Sequence, residues 1–348
     1  LVVSCPCALS LATPTVLTVG VSYLRRCGVL VTGGQVFESL NAVTHVVFDK
    51  TGTLTDGALR IVETRCLTDM AEADVLALAG ALEAGSSHPI ARAFAGFGDS
   101  LTVTERSSTA GAGVAGVVNG TRFKLGTPGF ASPDFAVDYP NEGLWLLLAD
   151  EQCALAWIRL EDRLRPSATP CIAALRGLGC QPVLLSGDRP ENVARVAAHL
   201  GIQDWRGGLF PDDKLAYVRD LQAQGRRVLM VGDGINDLPV LSGADVSCAM
   251  GSATRLAQTR ADCILLGEDL GQIPVALTFA RRVRRVIKQN LTWAIVYNLC
   301  ALPLAAAGLV PPWLAAIGMS SSSVLVVVNS LRVGRERRAS GEAAIAHS

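Results

Sequence analysis

With 348 residues the chain is long enough for about two globular domains, and a 50% hydrophobic content with a mean hydropathy of +0.36 is high for a purely water-facing protein, so part of it is expected in lipid. Lys and Arg total 31 against 31 Asp and Glu, which leaves no global field for nucleic acid or an acidic partner and excludes a DNA-binding reading. The 10 cysteines are scattered through apolar stretches, the pattern of reduced core residues rather than of a disulfide framework.

Residues 1–24 contain no charge and are followed by Arg25 and Arg26; about 20 apolar residues suffice to cross a bilayer, so a membrane helix is predicted. Leu1 is neither an initiator Met nor preceded by a basic segment, which argues against a signal peptide and reads as a fragment starting within a membrane segment. Inside this run lies Cys5-Pro6-Cys7. Proline removes a backbone donor and loosens the helix, freeing carbonyls beside two thiols. Two small packing residues are one reading, and a soft-metal site is the favoured one.

Residues 25–58 and 158–289 read as one doubly wound α/β domain with connecting helices. Apolar strands are predicted at 44–49, 181–186 and 227–233, each ending on a polar residue, with helices at 190–199 and 212–224 and later strands at 244–250 and 261–266. Residues 59–157 break the pattern: helices are followed by a hairpin, 114–118 and 121–125 around Asn119-Gly120, and by a second within 144–160 around Asp150-Glu151-Gln152. This is an α+β domain inserted after the Asp49 strand. Two further uncharged runs, 290–310 and 312–331, flank Pro311 and predict a helix pair in the membrane. Arg281, Arg282, Arg284, Arg285 and Lys288 precede it, and Arg332, Arg335, Arg337 and Arg338 follow, which places 25–289 and the tail 332–348 on the cytoplasmic side.

The chemistry gathers at strand ends. Asp49 can act as a nucleophile on phosphorus, with Lys50 balancing its charge; Ser186 can donate to a phosphoryl oxygen while Gly187 admits close backbone approach, with Asp188 next to it. Lys214 supplies a point cation, and Gly232-Asp233-Gly234-Ile235-Asn236-Asp237 offers two carboxylates about a helical turn apart. Magnesium takes one or two protein carboxylates and keeps waters, so Asp49 and Asp233 are the direct ligands expected, and Asp237 is expected to hold a water or orient its neighbours. Each piece alone reads equally as a capped turn, a solvated helix residue or a tight loop. Their joint occurrence at successive strand ends favours phosphoryl transfer, and no Gly-x-x-x-x-Gly-Lys-Ser/Thr loop is present.

Together Asp49-Lys50-Thr51-Gly52-Thr53, Ser186-Gly187-Asp188 and Gly232 to Asp237 resemble the signatures of the P-type ATPases, whose phosphorylation domain has a haloacid-dehalogenase-like fold. The resemblance implies that Asp49 takes the γ-phosphate of ATP, that Thr51 lends a backbone carbonyl to Mg²⁺ and that Thr53 contacts phosphate. Ser186 stands where Thr is usual. Ser86-Ser87-His88-Pro89 resembles the His-Pro motif of the heavy-metal branch, so the inserted domain is expected to bind ATP through Glu83, His88, Pro89, Gly111 and Gly113, with Ser87 and Thr127 departing from the usual acid and Asn. In that branch Cys-Pro-Cys is the transport site. Tyr297-Asn298 and Met319 with Ser323 match the copper branch, and Thr259-Arg260-Ala261-Asp262 is similar to a bacterial subgroup serving haem-copper oxidase assembly.

The three membrane runs hold no Asp, Glu, Lys or Arg. A divalent ion would cross with uncompensated charge unless a carboxylate helped, whereas a monovalent soft ion is expected to be balanced by thiolates alone. The expected cargo is Cu(I), with Ag(I) as mimic, delivered by a cytosolic copper donor across a bacterial inner membrane. A zinc or cadmium pump is the near alternative; a soluble phosphatase of the same fold, or a membrane metal receptor without catalysis, explains less. The family's earlier helices and its Thr-Gly-Glu actuator are expected in an upstream half of the polypeptide. Ser340-Gly341-Glu342 is read as a chance likeness.

Overall fold

The computed structural model describes residues 7–86, 88–132, 138–140, 143–233 and 237–334, with the side chains of 7–9, 89 and 312 outside the description. Cys5, Ser87, Gly234 to Asn236 and the tail from Arg335 therefore lie outside the described residues. The chain forms two compact units, one of residues 1–54 and 166–348 and one of Thr55–Arg165.

In the first unit β1 (Val29–Val31), β2 (His45–Asp49), β9 (Gln181–Leu185), β10 (Asp204–Arg206), β11 (Val228–Gly232), β12 (Val246–Met250) and β13 (Cys263–Leu265) form a seven-stranded sheet in the order β1-β13-β12-β11-β2-β9-β10. Every pairing is parallel except β1 with β13. All five residues of β2, of β11 and of β12 are buried, as parallel strands covered on both faces require, which is why their sequences are unbroken apolar runs. From β2 the chain builds β9 and β10 on one side, then returns through α8 (Pro211–Ala223) to build β11 on the other. That reversal makes the carboxyl end of β2 a topological switch point, where such sheets hold ligands.

The predicted strands and helices fall within a residue or two of the observed ones. The three-residue edge strands β1 and β10 were not foreseen, because such short runs carry no period of their own. Short edges also limit pairing with other chains.

Three helices of this unit pack against one another: α1 (Cys7–Arg26), α11 (Gln272–Ala306) and α12 (Pro312–Arg332). The sequence reading began the second membrane helix at residue 290 and carried it to 310. A connecting helix and this run form one continuous 35-residue helix that passes from the sheet domain through the basic cluster and stops at Ala306. Arg and Lys are good helix formers, so the cluster marks a change of solvent rather than an end. Ala12, Ala294 and Val326 meet at the three-helix contact, while Leu299, Leu309 and Trp313 are 73%, 71% and 65% exposed, an apolar surface suited to lipid. Among the described residues, Trp313–Arg332 is the helical stretch long and apolar enough by itself to cross a membrane; α1 is described only from Cys7, and the first half of α11 is charged.

Polar groups inside this bundle are paired. Asn290, 2% exposed, donates to Ser330 Oγ at 3.0 Å and accepts from Asn329 Nδ2 at 2.8 Å, and Trp293 Nε1 donates to Ser322 Oγ at 3.1 Å.

The second unit is a six-stranded antiparallel sheet, β3 (Thr55–Cys66), β8 (Ala154–Leu164), β7 (Leu144–Ala149), β6 (Thr121–Gly126), β5 (Gly113–Val118) and β4 (Val103–Thr109) in that order. Helices α3 (Glu72–Glu83) and α4 (Pro89–Ala93) contribute to its core, where Leu78, Leu82 and Phe94 meet Leu125, Leu148 and Ile158. Trp145, Leu147 and Trp157 form a second cluster with Ala131, so β7 is buried on both sides. Asn119 (φ 51°) and Gly120 (φ 84°) are both left-handed, the type I′ hairpin geometry that matches strand twist. At the other hairpin Asp150 Oδ1 accepts from the amides of Gln152 (2.8 Å) and Cys153 (2.7 Å), an Asx turn. Pairing of Thr55 with Leu164 extends the unit beyond the 59–157 read from the sequence.

Candidate phosphoryl-transfer site

Hydrophobic burial of β2 drives its last residue to the end of the sheet, so Asp49 is 6% exposed. The chain then turns tightly through residues 50–54, with Gly52 at φ 73°. A Cβ on Gly52 would lie 1.8 Å from Asp233 Oδ2. Only glycine lets this loop close against the carboxylate that follows β11. Asp237, 3% exposed, precedes α9 (Leu238–Gly243), and one oxygen each from Asp49, Asp233 and Asp237 lies within 4.8 Å of the others.

Lys214 reaches this cluster from the first turn of α8, a helix whose start is fixed by Phe210 N donating to Asp213 Oδ2 at 2.9 Å. Its Nζ lies 2.5 Å from Asp49 Oδ1 and 2.8 Å from Asp237 Oδ1. Burial and then the neighbouring Asp237 push the Asp49 carboxyl up to about 6, against the pull of Lys214. Burial alone would lower Lys214, yet Asp49 and Asp237 hold it above the usual lysine value.

A second pair flanks the first. Lys50 Nζ donates to Asp188 Oδ2, and Asp188 also accepts from Arg189 N at 2.7 Å and Asn192 Nδ2 at 3.2 Å. Burial would raise the Asp188 carboxyl, but Lys50 outweighs it and the group stays below the usual range. Ser186 Oγ accepts from Asp188 N at 3.1 Å. A Cβ on Gly187 would lie 3.2 Å from Leu209 O.

The structure thus brings Asp49, Lys50, Ser186, Asp188, Lys214, Asp233 and Asp237 to one end of the sheet. Thr51 faces solvent, and Thr53 is fully buried. Asp237 orients Lys214. The Lys50 to Asp188 pair was missed, since 138 residues separate the partners and no spacing rule joins them.

The donor set fits magnesium. Three carboxylates against the Lys214 ammonium leave two negative charges, matched by one divalent cation, and all three offer hard oxygen. Asp49 and Asp233 would hold the ion, with the Thr51 carbonyl.

In the second unit Glu83, 6% exposed at the end of α3, has its Oε2 buried without a hydrogen-bond partner among the described residues. Burial raises its carboxyl, opposed by hydrogen bonding from Ser86 and the charge of His88. Ser86 Oγ accepts from His88 N at 3.2 Å, and His88 Nδ1 accepts from Ile90 N at 3.3 Å, capping α4. That cap leaves Nε2 as the outward donor on an exposed ring. Pro89 opens α4. Gly111 (φ 71°) borders open space, whereas a Cβ on Gly113 would lie 2.3 Å from Leu125 O. Gly113 therefore serves the close β5–β6 contact.

In the membrane bundle Tyr297 packs its hydroxyl 2.7 Å from the Cβ position of Gly318. Asn298 Nδ2 donates to Ala294 O at 2.9 Å, and Ser323 Oγ donates to Met319 O at 3.1 Å. Both polar groups are bonded within their own helices. The Cys5 residue and the Cys7 side chain lie outside the description.

The haloacid dehalogenase-like hydrolase family model matches residues 43–245, and the chain belongs to that family. Within it, the homologues are heavy-metal P-type ATPases. The chain is 40% identical to the nitrogen fixation protein FixI of Bradyrhizobium diazoefficiens over 97% of its own length and 46% of that protein. It is 38% identical to a copper-exporting P-type ATPase of Mycobacterium tuberculosis over 96% of its length and 45% of the relative. Among solved structures, a zinc-transporting PIB-type ATPase in its E2·Pi state superposes with a TM-score of 0.84 at 34% identity, covering 96% of this chain and 57% of that one. The chain spans about half the length of the curated relatives it matches.

Proposed function

We propose that this chain is the catalytic half of a heavy-metal-transporting P-type ATPase that forms an aspartyl phosphate on Asp49 and exports Cu(I). The observation that carries the catalytic reading is the buried Asp49 carboxylate at the switch point, held 2.5 Å from Lys214.

An Asp49 oxygen attacks the γ-phosphorus of ATP, forming an O–P bond as the bond to the β,γ-bridging oxygen breaks and ADP departs with that electron pair. Lys214 keeps the nucleophile ionised despite burial and neutralises the transferred group. Asp237 holds Lys214 in place, and Lys50, anchored by Asp188, supplies a second positive group beside Ser186. Mg²⁺, when bound by Asp49 and Asp233, supplies charge neutralisation on the phosphates. Glu83 and the outward Nε2 of His88 bind the adenine end.

Cys5 and Cys7 with Tyr297, Asn298, Met319 and Ser323 form the transport path. The soft thiolate and thioether donors of the membrane runs favour Cu(I), although two thiolates alone would also balance a divalent charge, and a copper-exporting relative supports the copper reading. Zinc or cadmium transport is the second reading, favoured by the zinc-transporting structural neighbour. The site faces a bacterial cytoplasm, where a soluble copper donor loads it. The test is turnover of the full-length protein with Cu(I) or Ag(I) against Zn²⁺. Stimulation by the monovalent ions that vanishes in Cys5→Ser and Cys7→Ser is expected; stimulation by Zn²⁺ alone would overturn the copper reading.

A further inference from the structure

Cys248 of β12 and Cys263 of β13 stand opposite each other across a parallel strand pair. Opposed residues on such strands, about 4.8 Å apart, point to the same face, and both cysteines line one small cavity of ≈ 10 Å³. Its other walls are apolar, among them Leu40 of α2 (Val36–Ala42) and Ile273 and Ala276 of α11. Neither thiol takes part in the phosphoryl site or the transport path. A third thiol, Cys171 of α6 (Ala168–Gly177), lies within electrostatic range of Cys248.

Two thiols facing one apolar cavity constrain what could bind there. Zinc would need four ligands, and among the described residues no His, Asp or Glu lines the cavity. A monovalent ion between two thiolates would leave a buried negative charge, which an apolar surround disfavours. A soft divalent ion with a preference for two ligands in line gives a neutral unit. We propose that Cys248 and Cys263 form a buried two-thiolate site for a thiophilic divalent ion of linear coordination, with Hg(II) as the probe. As each S–H bond breaks, its proton goes to solvent and its electron pair forms a sulfur–metal bond, so one ion enters and two protons leave without redox change. Burial holds both thiols protonated, Cys248 at about 12 and Cys263 also well above the ordinary thiol, so loading is slow and favoured by a soft ion that displaces protons outright. A bound ion would tie β12 to β13 beneath the start of α11, the helix that continues into the membrane bundle.

The test uses the full chain in detergent with Cys5, Cys7, Cys27, Cys66, Cys153 and Cys300 replaced by Ser, loaded with Hg(II) and washed with excess monothiol. About one ion per chain is expected to remain, because a preformed pair outcompetes separate monothiols. Cys248→Ala and Cys263→Ala should each reduce retention to background, as should Cys248→Val and Cys263→Val, which fill the volume. Cys180→Ala removes a buried thiol that contacts Val43 O and Arg281 instead, and should leave retention unchanged. Absence of retention in the parent, retention after loss of Cys248 or Cys263, or loss with Cys180→Ala would overturn the proposal.

Discussion

Gly52 and Asp233 lie so close that a methyl group on the first would meet a carboxylate oxygen of the second at 1.8 Å. The turn after the Asp49 strand is therefore shaped around the candidate magnesium ligand. Gly52→Ala should cost about 1–2 kcal/mol from the left-handed backbone alone. By pushing Asp233 aside it should reduce Mg²⁺-dependent phosphorylation by about 100-fold. Thermal unfolding and single-turnover labelling of the same variant separate the two effects.

Lys214 is buried between two carboxylates, and its removal leaves their charge uncompensated. Lys214→Ala is expected to destabilise the protein by about 3–5 kcal/mol and to stop phosphorylation. Lys214→Met with Asp237→Asn, which removes one charge of each sign, should recover part of the stability but not the labelling. Chemical denaturation of the single and double variants measures this.

Asp245 ties the sheet to α8: its carboxylate accepts from Val228 N at 3.0 Å, Gln222 Nε2 at 3.0 Å and Arg227 Nη1 at 2.6 Å. Burial would raise its pKa, but these bonds outweigh burial and hold it below the usual aspartate value of 3.8. A depressed carboxyl stabilises the fold above its unfolded pKa, and the contribution disappears as pH falls from about 3.8 through the folded value. Asp245→Asn should therefore lower stability at neutral pH by about 2 kcal/mol, and its difference from the parent should vanish at the acid end. Unfolding midpoints across an acid pH series provide the check.

Glu83 holds a buried oxygen without a partner among the described residues, and His88 presents Nε2 outward beside it. Both are suited to an adenine edge. Glu83→Ala or His88→Ala should each weaken ATP binding by about tenfold, or ~1.4 kcal/mol, with little change in the rate of phosphorylation at saturating ATP. Calorimetric titration and labelling at high nucleotide measure the two quantities.

Much of this arrangement is legible in the sequence because buried parallel strands are written as plain apolar runs. Residues 46–48 and 228–231 could be assigned without a partner, and the polar residue that ends each run lands at the rim of the sheet. What was hidden depends on distant neighbours. The spacing of Lys50 and Asp188 carries no signal, and the close approach of Gly52 to Asp233 arises only once the two strand ends lie side by side. The change of composition at residue 290 falls inside α11, because the solvent changes there while the backbone does not. The strands β3 and β8 alternate weakly, so the limits of the inserted unit were set too narrow. The steric reason for glycine at position 113 was likewise hidden, since it lies in Leu125 O and Gly126 across the β5–β6 pair.

The central claim is that Asp49 accepts the γ-phosphoryl group of ATP. Incubation of the full-length protein with γ-labelled ATP and Mg²⁺, followed by acid quench, should give a covalent label that hydroxylamine removes, as an acyl phosphate requires, and that is absent from Asp49→Asn. A label retained in Asp49→Asn, or one resistant to hydroxylamine, would contradict the account.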